Sequence, residues 1–342
     1  MVKRAAHRLA AGLERHIDRR AGSRRSAATK LVISPYRGFG RGHELFVRGR
    51  VLVERAITRA TEAEPVWRNL MNAYRRFHSR EVGGARVIAR YRDAVMEGMT
   101  DDEGHFQLRL EPRELDPALL WHDVTVELPE TSTGALAHVI VPQPAAEFGV
   151  ISDIDDTIVR TGATSLLTMA RTVLLQNAAS RVPFEGVSEL YRALHRDANP
   201  IFYVSSSPWN LHDLIADFMQ LQGVPHGPLF LQDWGIDDVK LIYEPHTVHK
   251  AEEIRRILEF YPDLPFVLIG DSGQHDPEIY LDVIRSFPTR IRAAFIRDVT
   301  TDIRDRAVAA LIDEAKSAGV EMVYVATSAE AMTHARRMGL VA

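Results

Sequence analysis

From residue 149 to the C-terminus, short apolar runs of strand length alternate with stretches of helical spacing, and this alternation restricts the chain to few folds. The runs fall at 150–152, 201–204, 229–231, 266–269, 291–296 and 322–326; helical stretches fall at 166–175, 187–195, 210–221, 250–260, 277–287, 308–318 and 329–338. Apolar strands without polar alternation are covered on both faces, and strand–helix alternation predicts a doubly wound parallel sheet in an α/β fold. Ligands in such sheets bind beyond the carboxyl ends of the strands, so the residues after each run are where chemistry belongs.

Three runs end in chemically loaded residues. The first leads into Asp153-Ile154-Asp155-Asp156-Thr157, the second into Ser205-Ser206-Ser207, and a later one into Gly270-Asp271-Ser272-Gly273-Gln274-His275-Asp276. Lys250 opens a helix between the last two, and only Lys3, Lys30, Lys240 and Lys316 are its fellow lysines. Clustered carboxylates stay ionised only beside a cation, and oxygen ligands with a few waters suit Mg²⁺. A carboxylate beside that ion can attack phosphorus, and a second can protonate the leaving oxygen and then activate water. Plainer roles also fit. Asp153 and Asp155 suit helix caps, as do Ser206 and Ser207, and Asp276 suits an N-cap before Pro277.

These four motifs, in this order at strand ends, resemble the haloacid-dehalogenase-like phosphatases over roughly residues 149–342. Ser152-Asp153-Ile154-Asp155-Asp156-Thr157-Ile158, Tyr203-Val204-Ser205-Ser206-Ser207-Pro208-Trp209-Asn210-Leu211 and Gly270-Asp271-Ser272-Gly273-Gln274-His275-Asp276-Pro277-Glu278 look like the catalytic domain of the actin-patch-protein phosphatidate phosphatases, relatives of the lipins. Asp156 stands where the lipin pattern has Gly, which favours the actin-patch type. The resemblance implies Asp153 as nucleophile and Mg²⁺ ligand, and Asp155 as general acid/base with its carbonyl on the metal. Thr157 would steady the loop within the phosphate-binding set, and Ser205 and Lys250 would bind the phosphoryl group. Asp271 would bind Mg²⁺ directly, and Asp276 would support it through water or by orienting the lysine. The implied reaction is hydrolysis of phosphatidate to diacylglycerol and phosphate. A phosphatase of soluble phosphomonoesters or phosphoproteins is the alternative; a non-catalytic lipid-binding module fits less well, because Asp153 and Asp155 are both kept.

Residues 146–342 are thus expected as the phosphatase domain. Between its first two motifs, 160–181 would form a small cap. Leu166, Leu167, Met169, Ala170, Val173, Leu174 and Leu175 make it apolar nearly all round, which suits either packing on the sheet or a lid facing acyl chains. Residues 29–145 read as a mostly β sandwich- or barrel-like domain, with strands at 31–33, 44–53, 85–91, 105–110, 124–128 and 137–141. Gly38-Phe39-Gly40, Gly83-Gly84 and Asp101-Asp102-Glu103-Gly104 read as turns, and Trp67, Leu70, Met71, Tyr74 and Phe77 as one face of an inserted helix over 65–78.

Residues 1–28 form a basic arm on which Leu9, Leu13 and Ile17 make a thin apolar stripe; it suits a solvated tail or peripheral contact with an anionic membrane. The arm lacks the apolar core of a secretory signal, and no run approaches the ~18–20 residues that span a bilayer. The expected location is therefore cytoplasmic, with possible contact at the inner face of the membrane through the arm or the cap. A net charge of -4 argues against nucleic-acid binding, and the absence of cysteine excludes disulfides and thiol chemistry. The excess of arginine over lysine points to a bacterial source.

Overall fold

The structure is a computed structural model, and it describes residues 30–53, 81–158, 184–232, 246–299 and 302–342. The basic arm, the helix expected at 65–78 and the cap expected at 160–181 lie outside the described residues.

Eight strands form the N-terminal sheet: β1 (Leu31–Pro35), β2 (Gly38–Arg41), β3 (Glu44–Val53), β4 (Arg86–Tyr91), β5 (Ala94–Met99), β6 (His105–Leu110), β7 (Trp121–Leu128) and β8 (Thr133–Ile140). Their order is β1-β3-β2-β8-β7-β4-β5, with β6 on the other edge of β3. Alternation builds it: along β7, His122, Val124, Val126 and Leu128 are buried while Asp123 is exposed. The inward residues, among them Leu45, Val47, Val87, Phe106, Leu108 and Val126, share one core, as expected of a sandwich.

Two strands depart from the sequence reading. Gly38-Phe39-Gly40, expected as a turn, belongs to β2, which runs antiparallel to β3 and parallel to β8. The glycines serve close backbone approach there. A Cβ on Gly38 would lie 2.2 Å from the Phe46 carbonyl oxygen, and one on Gly40 would lie 2.4 Å from that of Glu44. β5 gave no alternating signal because Val95, Met96, Glu97 and Met99 are all exposed on this edge strand.

The C-terminal sheet is parallel throughout: β9 (Gly149–Ser152), β10 (Ile201–Pro208), β11 (Leu229–Gln232), β12 (Phe266–Asp271), β13 (Ile291–Arg297) and β14 (Glu321–Val325). The order is β11-β10-β9-β12-β13-β14. The chain builds outward from β9 on one side, then returns to β12 on the other. Helices α1 (Val187–His195), α2 (His212–Leu221) and α6 (Ser328–Arg337) share a core with one face. Helices α3 (His246–Phe260), α4 (Asp276–Ser286) and α5 (Asp302–Ser317) share a core with the other. Buried side chains such as Ile151, Phe202 and Leu268 each contribute about 1.5–3 kcal/mol, which explains the unbroken apolar runs. The expected doubly wound α/β sheet is therefore present, and its strand order reverses between β9 and β12, where ligands bind in such sheets.

Three boundaries beside the site differ from the sequence reading. β10 extends through 205–208, so Ser206 and Ser207 are strand residues rather than helix caps. A 3₁₀ turn (Trp209–Leu211) precedes α2. α3 starts at His246, so Lys250 sits about one turn inside the helix and does not open it. The periodic buried face that marks this helix, Ile254, Ile257 and Leu258, begins only after Lys250.

Candidate active site

Asp153 follows β9, and its backbone N–H donates to the Ile269 carbonyl on β12 at 2.9 Å, so the first loop is tied to the neighbouring strand. Its carboxylate is 2 % exposed. One oxygen lies 2.9 Å from Lys250 Nζ, and the other accepts from Thr157 Oγ1 at 3.0 Å. Thr157, expected among the phosphate-binding residues, thus holds the Asp153 carboxylate. Its carbonyl in turn accepts from Nε of the buried Arg297 at 3.1 Å.

Asp155 turns away from this group toward β10. Its Oδ2 accepts from Ser205 Oγ at 3.1 Å and from Ser207 Oγ at 3.3 Å, and the Ser207 N–H donates to Ser205 Oγ at 3.0 Å. Ser207 was legible in principle: residues two apart on a strand share a face, so Ser205 and Ser207 point together while Ser206 points elsewhere. What hid it was the assumption that the strand ended at Val204.

Lys250 bridges two carboxylates, with Nζ 2.5 Å from Asp276 Oδ1, and it also donates to Gln274 Oε1 at 3.4 Å. Asp276 begins α4; its Oδ2 accepts from the Asp271 N–H at 3.1 Å. The N-cap is His275, without a side-chain cap bond, so Asp276 is not a cap and spends both oxygens on the site. This close packing requires Gly270, where a Cβ would lie 2.3 Å from Asp276 Oδ2. Asp271 Oδ1 accepts from the Gly273 and Gln274 N–H groups at 2.7 and 2.9 Å. Its Oδ2 is buried and has no hydrogen-bond partner among the described residues.

Asp153, Asp271 and Asp276 each offer an oxygen within 4.8 Å of the others, and all three are buried. Among the described residues one ammonium, that of Lys250, faces these carboxylates, and the protonation balance reflects that. Burial, reinforced by Asp276, pushes the Asp271 carboxyl up to about 7. Burial pushes Asp153 well above the usual carboxylate range, with Lys250 opposing and Asp276 and Asp271 adding to the rise. Asp155 rises to about 6 through burial, held back by the Ser205 hydrogen bond. Burial alone would lower Lys250, but Asp153 and Asp276 outweigh it and hold its ammonium above the usual range. A divalent cation fits this set: all-oxygen donors, an excess of negative charge and an unpaired buried carboxylate oxygen on Asp271. Asp153 and Asp271 would hold it, with Asp276 orienting Lys250.

The expected residues Asp153, Thr157, Lys250, Asp271 and Asp276 come together in one network, while Asp155 and Ser205 pair beside it. His275 is exposed at the rim.

Residues 148–298 match the family described as the catalytic domain of phosphatidate phosphatase APP1. A stretch of 213 residues, 61 % of this chain, is 32 % identical to phosphatidate phosphatase APP1 of Saccharomyces cerevisiae, of which it covers 35 %. An uncharacterised protein of Schizosaccharomyces pombe is 32 % identical over 45 % of this chain and 25 % of its own length. The chain thus spans about a third or less of these curated relatives, both of them fungal. Among solved structures, a HAD family hydrolase from Deinococcus radiodurans R1, with bound phosphate and sodium, overlaps 57 % of this chain and 98 % of its own at 16 % identity and a TM-score of 0.35. No functional likeness follows from a score that low.

Proposed function

We propose that this chain, whose residues 148–298 belong to the phosphatidate phosphatase APP1 catalytic-domain family, is a Mg²⁺-dependent phosphatase that works through an aspartyl-phosphate on Asp153 and takes phosphatidate as substrate. The observation that carries the chemistry is the group of Asp153, Asp271 and Asp276 within 4.8 Å, with Lys250 as its ammonium and one oxygen of Asp271 unpartnered. The lipid substrate rests on the family match.

The geometry supports a role for each residue. Lys250, fixed by Asp276, supplies positive charge where phosphoryl oxygens would gather, and Ser205 adds a hydroxyl donor. Asp153 and Asp271 would hold Mg²⁺, which would supply the remaining charge neutralisation. Thr157 holds one Asp153 oxygen, and the other, beside the Lys250 ammonium, would be presented for attack on phosphorus. The P–O bond to the leaving group breaks as the Asp153–phosphorus bond forms, and Asp155 gives the leaving oxygen its proton. A carboxyl near pKa 6 is suited to hold that proton near neutral pH and then to accept one from the attacking water. Hydrolysis returns Asp153 and releases phosphate.

No described helix is long and apolar enough to cross a membrane. Access to a lipid substrate is proposed through peripheral contact at the cytoplasmic face, by the basic, thinly apolar residues 1–28 or the apolar residues 160–181. The deciding experiment offers the full chain phosphatidate in mixed micelles and a soluble phosphomonoester, each with and without Mg²⁺. Phosphate release from phosphatidate that requires Mg²⁺ is expected. Release from the soluble ester alone would remove the lipid assignment, and release from neither would remove the phosphatase.

A further inference from the structure

The serines that hold Asp155 stand on a poorly paired piece of strand. β10 pairs with β9 only over Ile201, Phe202 and Tyr203, and ends that ladder two residues before Ser205. On its other side the register with β11 shifts between Val204 and Pro208. Ser205 and Ser207 therefore lie in the irregular stretch between the Val204 and Pro208 pairs with β11, where the segment just beyond them can bear on their position.

That segment is gripped by the N-terminal sheet. The Tyr36 ring stacks on Trp209 with centroids 5.3 Å apart and planes 15° apart, and it lies 3.8 Å from the His212 ring. Trp209 and His212 stack on each other, and the His105 ring closes the group 6.2 Å from Tyr36. Tyr36 is 5 % exposed, and its N–H donates to the Arg48 carbonyl on β3 at 2.8 Å. One residue beyond His212, both carboxylate oxygens of Asp213 face Ser34 Oγ at 3.2 and 3.0 Å. Ser34 of β1 and Tyr36, in the link between β1 and β2, thus hold 209–213, which enter the chain directly after Pro208.

We propose that the N-terminal β-sheet is a positioning element of the phosphoryl site, with Tyr36 and Ser34 clamping residues 209–213 so that Ser205 and Ser207 keep their hydroxyls on Asp155. This rests on the phosphatase reading above. Tyr36 and Ser34 are positioning residues and touch no reacting atom. Rigid placement of the binding hydroxyls is worth a large factor in rate, and small misplacements are felt strongly.

The test uses the full chain with Mg²⁺, measuring inorganic phosphate binding by calorimetry and kcat and KM on a soluble phosphomonoester. Tyr36→Ala is expected to weaken phosphate binding and lower kcat/KM by about tenfold, while Tyr36→Phe, which keeps the ring, stays within about twofold of wild type. Ser34→Ala shifts both in the same direction by about threefold, and it decides the matter if Tyr36→Ala does not fold. Tyr91→Phe serves as control, because it breaks the buried Tyr91–His122 contact in the same sheet without touching 209–213. The proposal is overturned if Ser34→Ala and any folded Tyr36→Ala bind phosphate as wild type does, or if Tyr91→Phe weakens binding equally. A wild-type chain that neither binds phosphate nor turns over removes the phosphatase reading and this inference with it; variants that match an active wild type remove this inference alone.

Discussion

Asp153 is a buried carboxylate that needs both of its partners. Replacing it with Asn keeps the shape and the Thr157 contact but removes the proposed nucleophile, so turnover is expected to fall by about 10⁴-fold or more while the circular-dichroism spectrum stays native. Wild-type turnover in Asp153→Asn would exclude Asp153 from the reaction. Asp156 makes the opposite prediction. Its φ of 54° lies in the left-handed region, where a side chain costs energy and glycine does not. Asp156→Gly is expected to keep turnover within about threefold of wild type and to cost no stability, whereas a β-branched Asp156→Val should lower the melting temperature. A large loss in Asp156→Gly would mean that the Asp156 carboxylate has its own part in the chemistry. The same dihedral explains why a glycine and an aspartate can both stand at this position in related patterns.

At the scale of elements, the site depends on how closely α4 can approach the end of β12. Asp276 sits against Gly270, with no room for a methyl group between them. Gly270→Ala is expected to push Asp276 and, through it, Lys250 out of place. The cost should be about 1–3 kcal/mol in urea unfolding, together with a marked loss of turnover. An alanine variant with unchanged stability and activity would show that α4 can retreat freely. The seven-residue motif from Gly270 to Asp276, at the end of β12, is therefore a packing device as much as a set of ligands: Gly270 admits Asp276, Asp276 holds Lys250, and Lys250 neutralises Asp153.

For the whole molecule, the excess of buried negative charge makes stability depend on pH and on metal together. The Asp271 carboxyl moves from an ordinary 3.8 to about 7 in the folded chain, and Asp155 to about 6. A raised carboxyl holds its proton in the folded state while the unfolded chain has released it. Its contribution is therefore favourable at low pH and is lost as pH rises from about 4 to about 7. With metal chelated, wild type should lose stability relative to Asp271→Asn across that window, as read by urea midpoints. Mg²⁺ should abolish the difference in slope and raise the wild-type melting temperature, because it binds only the folded state. Parallel pH profiles for the two proteins in chelator would contradict the buried-charge account.

The doubly wound sheet and the identity of the carboxylates were legible in the chain, because strand-length apolar runs ending in Asp or Ser leave few folds and few places for chemistry. The left-handed conformation at Asp156 and the close approach at Gly38 and Gly40 were not legible, since each depends on a neighbouring backbone rather than on local pattern. The reach of β10 through Ser207 was hidden by the same kind of ambiguity, because a run of serines carries no hydrophobic period to mark it as strand. Asp276 likewise looked equally suited to capping a helix and to serving the site. Only the folded chain turned both of its oxygens inward, because Gly270 lets α4 come close enough for them to reach Lys250 and the Asp271 amide. The sequence alone determined which residues carry the charge. Tertiary structure decided which oxygen faces which partner, because those pairings join residues as far apart as Asp153 and Lys250, and no local periodicity encodes a contact made across two strands and a helix.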